Sequence, residues 1–377
     1  MKPKILFFGI KTFPSRGGTD RVAENLIRNL SDDLDITLFC FRDPHAEAYI
    51  KNIRVIQFSQ LIKGSTGAFI YFFRSVVKAL LMDFDLVHVH KTECAFFIPL
   101  LMIRHRVVAT SHEAPYRRDK WNALQKLYFK AAEPLFMYLP NKVTCISGPL
   151  SDYYISRYKR FVHYIPNGIN AIARETYDYR AARASLPPGA DLDQPYILFS
   201  ARRLMSTKGC HTMLRALKKI RYKGQIFIAG EPSHHSGYIR ELNKIGSGLN
   251  VYFLGFVHPV QTILALVEKC SLFIFPSETE GMSIMLLEAA SAGRPVVASD
   301  IPENRILSDE DLLFFKNKSA DDLAEKITFA LANMGKMETM GKSAQKKVIE
   351  NYAWFNISNT YKELYQQTTA HEIILSE

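Results

Sequence analysis

The chain has 377 residues, enough for two domains of about 150 to 200 residues each. Its 47% hydrophobic and 23% charged content is that of a globular protein, and no apolar run is long enough to signal a membrane-crossing helix. Five scattered cysteines (Cys40, Cys94, Cys145, Cys210, Cys270) without CxxC pairs argue against a disulfide framework or a zinc site and for reduced thiols in a cytoplasm.

The net charge of +11 is unevenly placed. Residues 1–170 hold 24 Lys and Arg against 14 Asp and Glu, and the remainder is nearly balanced. A basic first half points to an anionic partner there, such as acidic lipid headgroups or a phosphate-bearing acceptor. General solubility is the duller reading. No nucleic-acid motif occurs, and the cations do not gather on one reading helix. The opening MKPKILFFGI has too short an apolar run for a secretory signal.

Residues 5–10 form a buried-strand run. The loop KTFPSRGGTD follows, then a helix with Val22, Leu26, Ile27 and Leu30 on one face. Gly17 and Gly18 offer backbone freedom and close approach that other residues lack. Their spacing is not Gly-x-Gly-x-x-Gly, which disfavours a nicotinamide fold. Strand-type runs recur at 36–41 and 53–58.

Residues 67–82 form an apolar helix carrying only Arg74 and Lys78. Residues 124–139 are aromatic-rich with Lys126 and Lys130. Apolar faces edged with cations suit a membrane interface, and equally the core helices of a large α/β domain. Residues 86–90 and 106–110 are strands, the second ending in Ser111-His112-Glu113. Ligands bind at that end of parallel strands, so His112 is placed to orient a ligand or stabilise charge. A structural histidine is the alternative. His88 and His90 share a strand face, with no further metal ligands evident. Runs at 143–147 and 162–165 close the first sheet. Pro166-Asn167-Gly168 then breaks the pattern, and residues 170–194 read as linker and domain edge.

The second half opens with a strand at 196–201. Arg203-Leu204-Met205-Ser206-Thr207-Lys208-Gly209 then precedes a helix. Two cations five residues apart at such a loop can clamp a diphosphate from two sides, or be solvated loop charges. Strands at 226–230 and 251–255 follow, the latter leading into Phe256-Val257.

Residues 273–275 are a strand, Pro276 to Thr279 a turn, and from Gly281 a helical pattern places Ile284, Leu287 and Ala290 at threefold spacing. Another strand lies at 296–298. The open N–H groups of Gly281, Met282, Ser283 and Ile284 would form an anion site. Glu280 and Glu288 bracket it. If every step between them were helical, the rise would be about 12 Å, the reach from a sugar ring across a diphosphate to a ribose. Both carboxylates suit hydroxyls better than phosphates. The bland reading makes Glu280 a first-turn residue and Glu288 a solvated one.

The string Glu280-Gly281 … Glu288-Ala289, followed by Gly293-x-Pro295-Val296-Val297-Ala298-Ser299, resembles the Glu-x7-Glu signature of retaining glycosyltransferases of family 4. Arg203-Leu204-x-x-x-Lys208-Gly209, the loop at Gly17-Gly18, Pro166-Asn167-Gly168 and the closing segment from Asn351 resemble family segments as well. One departure stands out: Met282-Ser283-Ile284 occupies the place of a common Phe-Gly-Leu.

The resemblance implies an α/β protein of GT-B fold, two Rossmann-like domains facing an interdomain cleft. Residues 1–168, joined by a closing helix at 353–367, would bind the acceptor, and residues 169–352 the donor. It implies a hexosyltransferase moving a sugar from a nucleotide-sugar to a glycan or lipid-linked acceptor. It would need no metal and no cofactor, and would sit in the cytoplasm, with peripheral contact to an anionic membrane as an added expectation. Arg203 and Lys208 would neutralise the diphosphate with Met282, Ser283 and Ile284. Glu280 would hold the sugar hydroxyls, Glu288 the ribose, His112 the sugar near its reacting carbon, and Phe256 and Val257 the base. Gly17 and Gly18 would touch donor phosphate or acceptor. A nucleotide-sugar epimerase, a phosphorylase or a non-catalytic sugar-nucleotide sensor would share the fold.

Overall fold

The structure, a computed structural model, describes the chain except residues 1, 16, 44–51, 115, 117–121, 171–173, 233–235, 283 and 371–377. It divides into two compact units, Met1–Gly168 with Trp354–Glu377, and Ile169–Ala353.

The first unit holds seven parallel strands: β1 Lys4–Phe8, β2 Asp35–Phe41, β3 Ile53–Phe58, β4 Leu86–Val89, β5 Arg106–Ser111, β6 Lys142–Cys145 and β7 His163–Tyr164. Their order is β3-β2-β1-β4-β5-β6-β7. Helices cover both faces, so the central strands are largely buried and read as apolar runs such as ILFF in β1, while edge strands β3 and β7 are partly exposed. The order reverses between β1 and β4, and a doubly wound sheet opens a crevice at that switch point.

The last helix, Trp354–Thr369, returns to this sheet. Its Tyr365 hydroxyl lies 2.6 Å from His88 Nδ1, and Tyr361 lies 3.3 Å from the Thr110 hydroxyl. His88 Nε2 is bonded to Thr110 of β5 at 2.6 Å, so both its ring nitrogens are committed, Nδ1 to this helix and Nε2 to the neighbouring strand. Gly168 is dictated by the same docking: a Cβ there would lie 2.7 Å from the Trp354 ring.

The second unit holds six parallel strands: β8 Tyr196–Leu204, β9 Gln225–Pro232, β10 Asn250–Gly255, β11 Leu272–Phe275, β12 Val296–Asp300 and β13 Leu313–Lys316. The order is β10-β9-β8-β11-β12-β13, with the switch point between β8 and β11. Each unit is thus a Rossmann-like α/β domain. All five cysteines are buried and unbridged. Among the described residues no helix is long and apolar enough to cross a membrane.

Candidate functional site

In the second unit the chemistry converges where β8 and β11 end side by side. Leu272 and Phe273 pair with Ile197 and Leu198, which brings the two exit loops together. Arg203 sits near the end of β8, beyond an irregularity in the pairing with β9, and its side chain is exposed. A short 3-10 turn, Ser206–Lys208, then carries Lys208 toward the other loop.

Gly209 makes that approach possible. Its φ is +70°, and a Cβ would lie 1.9 Å from the Pro276 carbonyl oxygen. The two backbones touch where only glycine fits. The Glu278 N–H donates to the Thr207 carbonyl at 2.9 Å, sealing the contact. Lys208 Nζ consequently donates to Glu280 Oε1 at 2.5 Å. The side chains are 28% and 10% exposed, so a cation and a carboxylate share one mostly desolvated spot. At this depth the attraction is stronger than that of a surface pair.

The loop bearing Glu280 is braced from several sides. Glu278 takes an ion pair from Lys318 at 3.2 Å, and His211 Nε2, whose burial favours the neutral ring, lies 3.5 Å from its carboxylate. Asn317 donates to the Glu278 carbonyl at 3.0 Å, and Ser299 donates to the Ser277 carbonyl. Buried Asn304 in turn donates to the Ser299 carbonyl at 2.9 Å. None of these braces was legible as a site residue, because they come from Ser299, Asn317, Lys318 and His211, which sheet order rather than local sequence brings to the loop.

The structure corrects the helix reading. The helix spans Ile284–Ser291, so Gly281 and Met282 lie in the loop before it, and Glu280 precedes the helix rather than opening it. Only the last four steps to Glu288 are helical, a rise of about 6 Å rather than 12. A bend at Gly281 and the irregular residues ahead of it delay the helix beyond where apolar periodicity suggested. Met282 is buried, Ser283 lies outside the described residues, and Ile284 is the first helical residue. Glu288 is 7% exposed, which rules out a solvated helix position. Phe256 follows edge strand β10 and is half exposed. The Arg202 guanidinium lies 5.7 Å from its ring centroid, and Val257 beside it is half-buried.

In the first unit the loops after β1, β4 and β5 carry the polar groups. Gly17 is extended at the helix N-cap and Gly18 is the first helical residue, so neither uses the left-handed freedom glycine allows. A Cβ on Gly18 would meet no atom within 4 Å. The residue that organises this loop is Asp20. It is 6% exposed and accepts from the Thr12 hydroxyl at 2.7 Å and the Thr12 N–H at 3.2 Å. It also pairs with Lys91 Nζ at 2.9 Å, joining the loops after β1 and β4 at the switch point. Burial alone would raise the Asp20 carboxyl, but the Lys91 charge and these donors outweigh it and hold it below the usual range. Lys91 was not singled out by the sequence reading; a lone lysine after a strand carries no local signal.

His112 follows β5, as expected, with its Nε2 3.4 Å from His90 Nδ1. Burial, with the Lys91 ammonium nearby, pushes His112 down to about 3, and burial likewise holds His88 and His90 well below 6.5. All three are neutral at physiological pH. When unfolded they titrate near 6.5, so the unfolded chain binds protons that the folded chain refuses. Stability is therefore whole above pH 6.5 and falls as the pH drops below it, by about 1.4 kcal/mol per pH unit for each histidine. Urea melts of the protein at pH 7.5 and pH 5 are expected to show a clearly lower midpoint at pH 5. An unchanged midpoint would refute this.

Comparison with known proteins agrees with this architecture. The model described as "Glycosyltransferase Family 4" matches residues 16–171, and "Glycosyl transferases group 1" matches residues 186–347. Between them they account for most of both units. The chain belongs to the group 1, family 4-like glycosyltransferases.

Two curated relatives share about half of this glycosyltransferase-family chain. An uncharacterized glycosyltransferase of Methanocaldococcus jannaschii is 31% identical over 183 residues, 47% of this chain and 46% of that protein. The N,N'-diacetylbacillosaminyl-diphospho-undecaprenol alpha-1,3-N-acetylgalactosaminyltransferase of Campylobacter jejuni is 28% identical over 176 residues, 46% of this chain and 45% of that protein. The match thus spans about half the length of these relatives. Among solved structures, Anabaena HepE in complex with UDP-glucose superposes with a TM-score of 0.77 at 18% identity, covering 97% of this chain and 99% of that one. This likeness establishes the GT-B fold.

Proposed function

We propose that this protein is a retaining hexosyltransferase that moves a sugar from a nucleotide-sugar donor to a glycan or lipid-linked acceptor in glycoconjugate assembly. The observation that carries the reading is the Lys208–Glu280 contact of 2.5 Å at the switch point of the second sheet. It puts a cation suited to a diphosphate against a carboxylate suited to sugar hydroxyls. Donor departure leaves negative charge on the diphosphate. Lys208, Arg203 and the backbone N–H groups ahead of Ile284 stabilise that charge without requiring a metal ion. Glu280 orients the sugar, buried Glu288 takes the ribose, and the base rests at Phe256 and Val257. In the first unit, His112 meets the sugar near the reacting carbon and the loop at Gly17 and Gly18 serves acceptor or phosphate. The relatives support the substrate class: one is named for a diphospho-undecaprenol acceptor and one is solved with UDP-glucose.

The test is a panel of nucleoside diphosphates and their sugars screened by thermal stabilisation of the purified protein. NMR of the product's anomeric centre then follows with a lipid-linked acceptor. One nucleotide series is expected to raise the melting temperature, and the product is expected to keep the donor's configuration. Inversion would remove the retaining assignment, and no stabilisation by any member would remove the donor.

The first unit is also proposed to rest on an anionic membrane. Phe69, Phe73 and Val77 recur at four-residue spacing on the helix Gly64–Leu80 and are 50%, 51% and 45% exposed. Leu124 and Leu127 of the helix Ala123–Tyr138 are likewise exposed, and Lys63, Lys78 and Lys130 stand among them. Exposed apolar rings edged by cations fit the headgroup boundary of acidic lipid. Co-sedimentation with anionic vesicles is expected at low salt and is expected to weaken with Phe69→Ser and Phe73→Ser. Equal recovery with neutral and anionic vesicles would overturn it.

A further inference from the structure

His90 is not among the residues assigned to the site above, yet it decides what His112 can do. Its ring is fully buried, stacked on Phe7 at 5.3 Å and packed against His88 at 3.9 Å. Its Nδ1 lies 3.4 Å from His112 Nε2, and its other nitrogen, Nε2, is buried with no hydrogen-bond partner. Both imidazoles are neutral, so each carries one proton, and a bond between them needs a proton on one facing nitrogen and a lone pair on the other.

Two arrangements meet that condition. In the first, His112 donates from Nε2 and His90 accepts at Nδ1. The His90 proton then sits on Nε2, a buried N–H without an acceptor. In the second, His90 donates from Nδ1, and its partnerless Nε2 holds only a lone pair. Orphaned buried donors are rarer and costlier than under-used acceptors, so the second arrangement prevails.

We propose that His90 is a positioning residue that fixes His112 as the tautomer protonated on Nδ1. His112 Nε2 is then occupied as an acceptor, and the only polar atom left to it is an N–H donor. It therefore meets an oxygen, a sugar hydroxyl or the ester oxygen of the donor, as a hydrogen-bond donor and does not act there as a general base. That His112 meets the sugar rests on the proposed function; its tautomer does not.

Long-range proton–nitrogen NMR of the full chain with nitrogen-15 histidine reads this directly, because a protonated ring nitrogen and a bare one resonate far apart. His112→Gln assigns the His112 signals. At pH 7.5 His112 is expected to show its proton on Nδ1. His90→Phe, which keeps a stacked ring but no donor, is expected to release His112 to a mixture or to the Nε2-protonated form. His90→Asn, whose amide N–H can stand in for Nδ1–H, is expected to restore the wild-type pattern. With substrates, His90→Phe is expected to lower kcat about tenfold and His90→Asn to recover most of it. A wild-type His112 protonated on Nε2, or a tautomer indifferent to His90→Phe, would overturn the proposal. If the tautomer is as stated but His112→Gln turns over normally, the tautomer stands and the sugar contact falls.

Discussion

Lys208→Ala is expected to slow sugar transfer by about a hundredfold or more, the usual cost of removing one preorganised group from a site of developing negative charge. The geometry behind this is one cation held 2.5 Å from Glu280 in the turn after β8, in a spot partly shielded from water. The variant also leaves Glu280, 10% exposed, without its partner, so part of the loss is expected as a lower melting temperature. Lys208→Ala combined with Glu280→Gln tests the stability part: the neutral pair is expected to regain the melting temperature. Arg203→Ala is expected to cost less, since its side chain is exposed and solvent screens it. Initial rates with the donor identified by the stabilisation screen, beside melts of each variant, provide the check. Near-normal turnover for Lys208→Ala would mean that the diphosphate is held elsewhere.

Gly209→Val is expected to abolish donor binding through structure alone. A Cβ at this position would lie 1.9 Å from the Pro276 carbonyl oxygen, at a φ of +70° that a branched residue rarely adopts. The loop after β11 must then retreat, and Glu280 with it, breaking the contact with Lys208. The strain amounts to about 1–3 kcal/mol before any clash is counted, and Gly209→Ala, which meets the same backbone, is expected to show a milder form. Calorimetry with the same donor and thermal melts provide the measurement. A Gly209→Val protein that binds donor normally would show that the two loops need not touch.

How much of this was legible in advance differs from residue to residue. Arg203, Lys208, Glu280 and Glu288 stood out by spacing and resemblance; the first three lie on the strand or loops at the switch point of the second sheet, and Glu288 is a buried residue of the helix after β11. The start of the helix after Glu280 was misplaced by about three residues, because apolar periodicity continues into a loop whose Met282 side chain is buried without being helical. Gly17 and Gly18 drew notice for a freedom they do not use, while Asp20 beside them, joined to Lys91, holds the loop.

The sequence alone marked strands β1 to β12, most of them by an apolar run, but not edge strand β13, and it determined which charged residues stand at strand ends. Tertiary structure alone decided which strand ends are neighbours. Lys208 meets Glu280 across 72 residues, and Asp20 meets Lys91 across 71. His90 meets His112 across 22. Local pattern is set by each residue's own contacts with water and backbone. Pairings at such distances follow from the order in which the strands assemble and from where a missing Cβ lets two backbones touch.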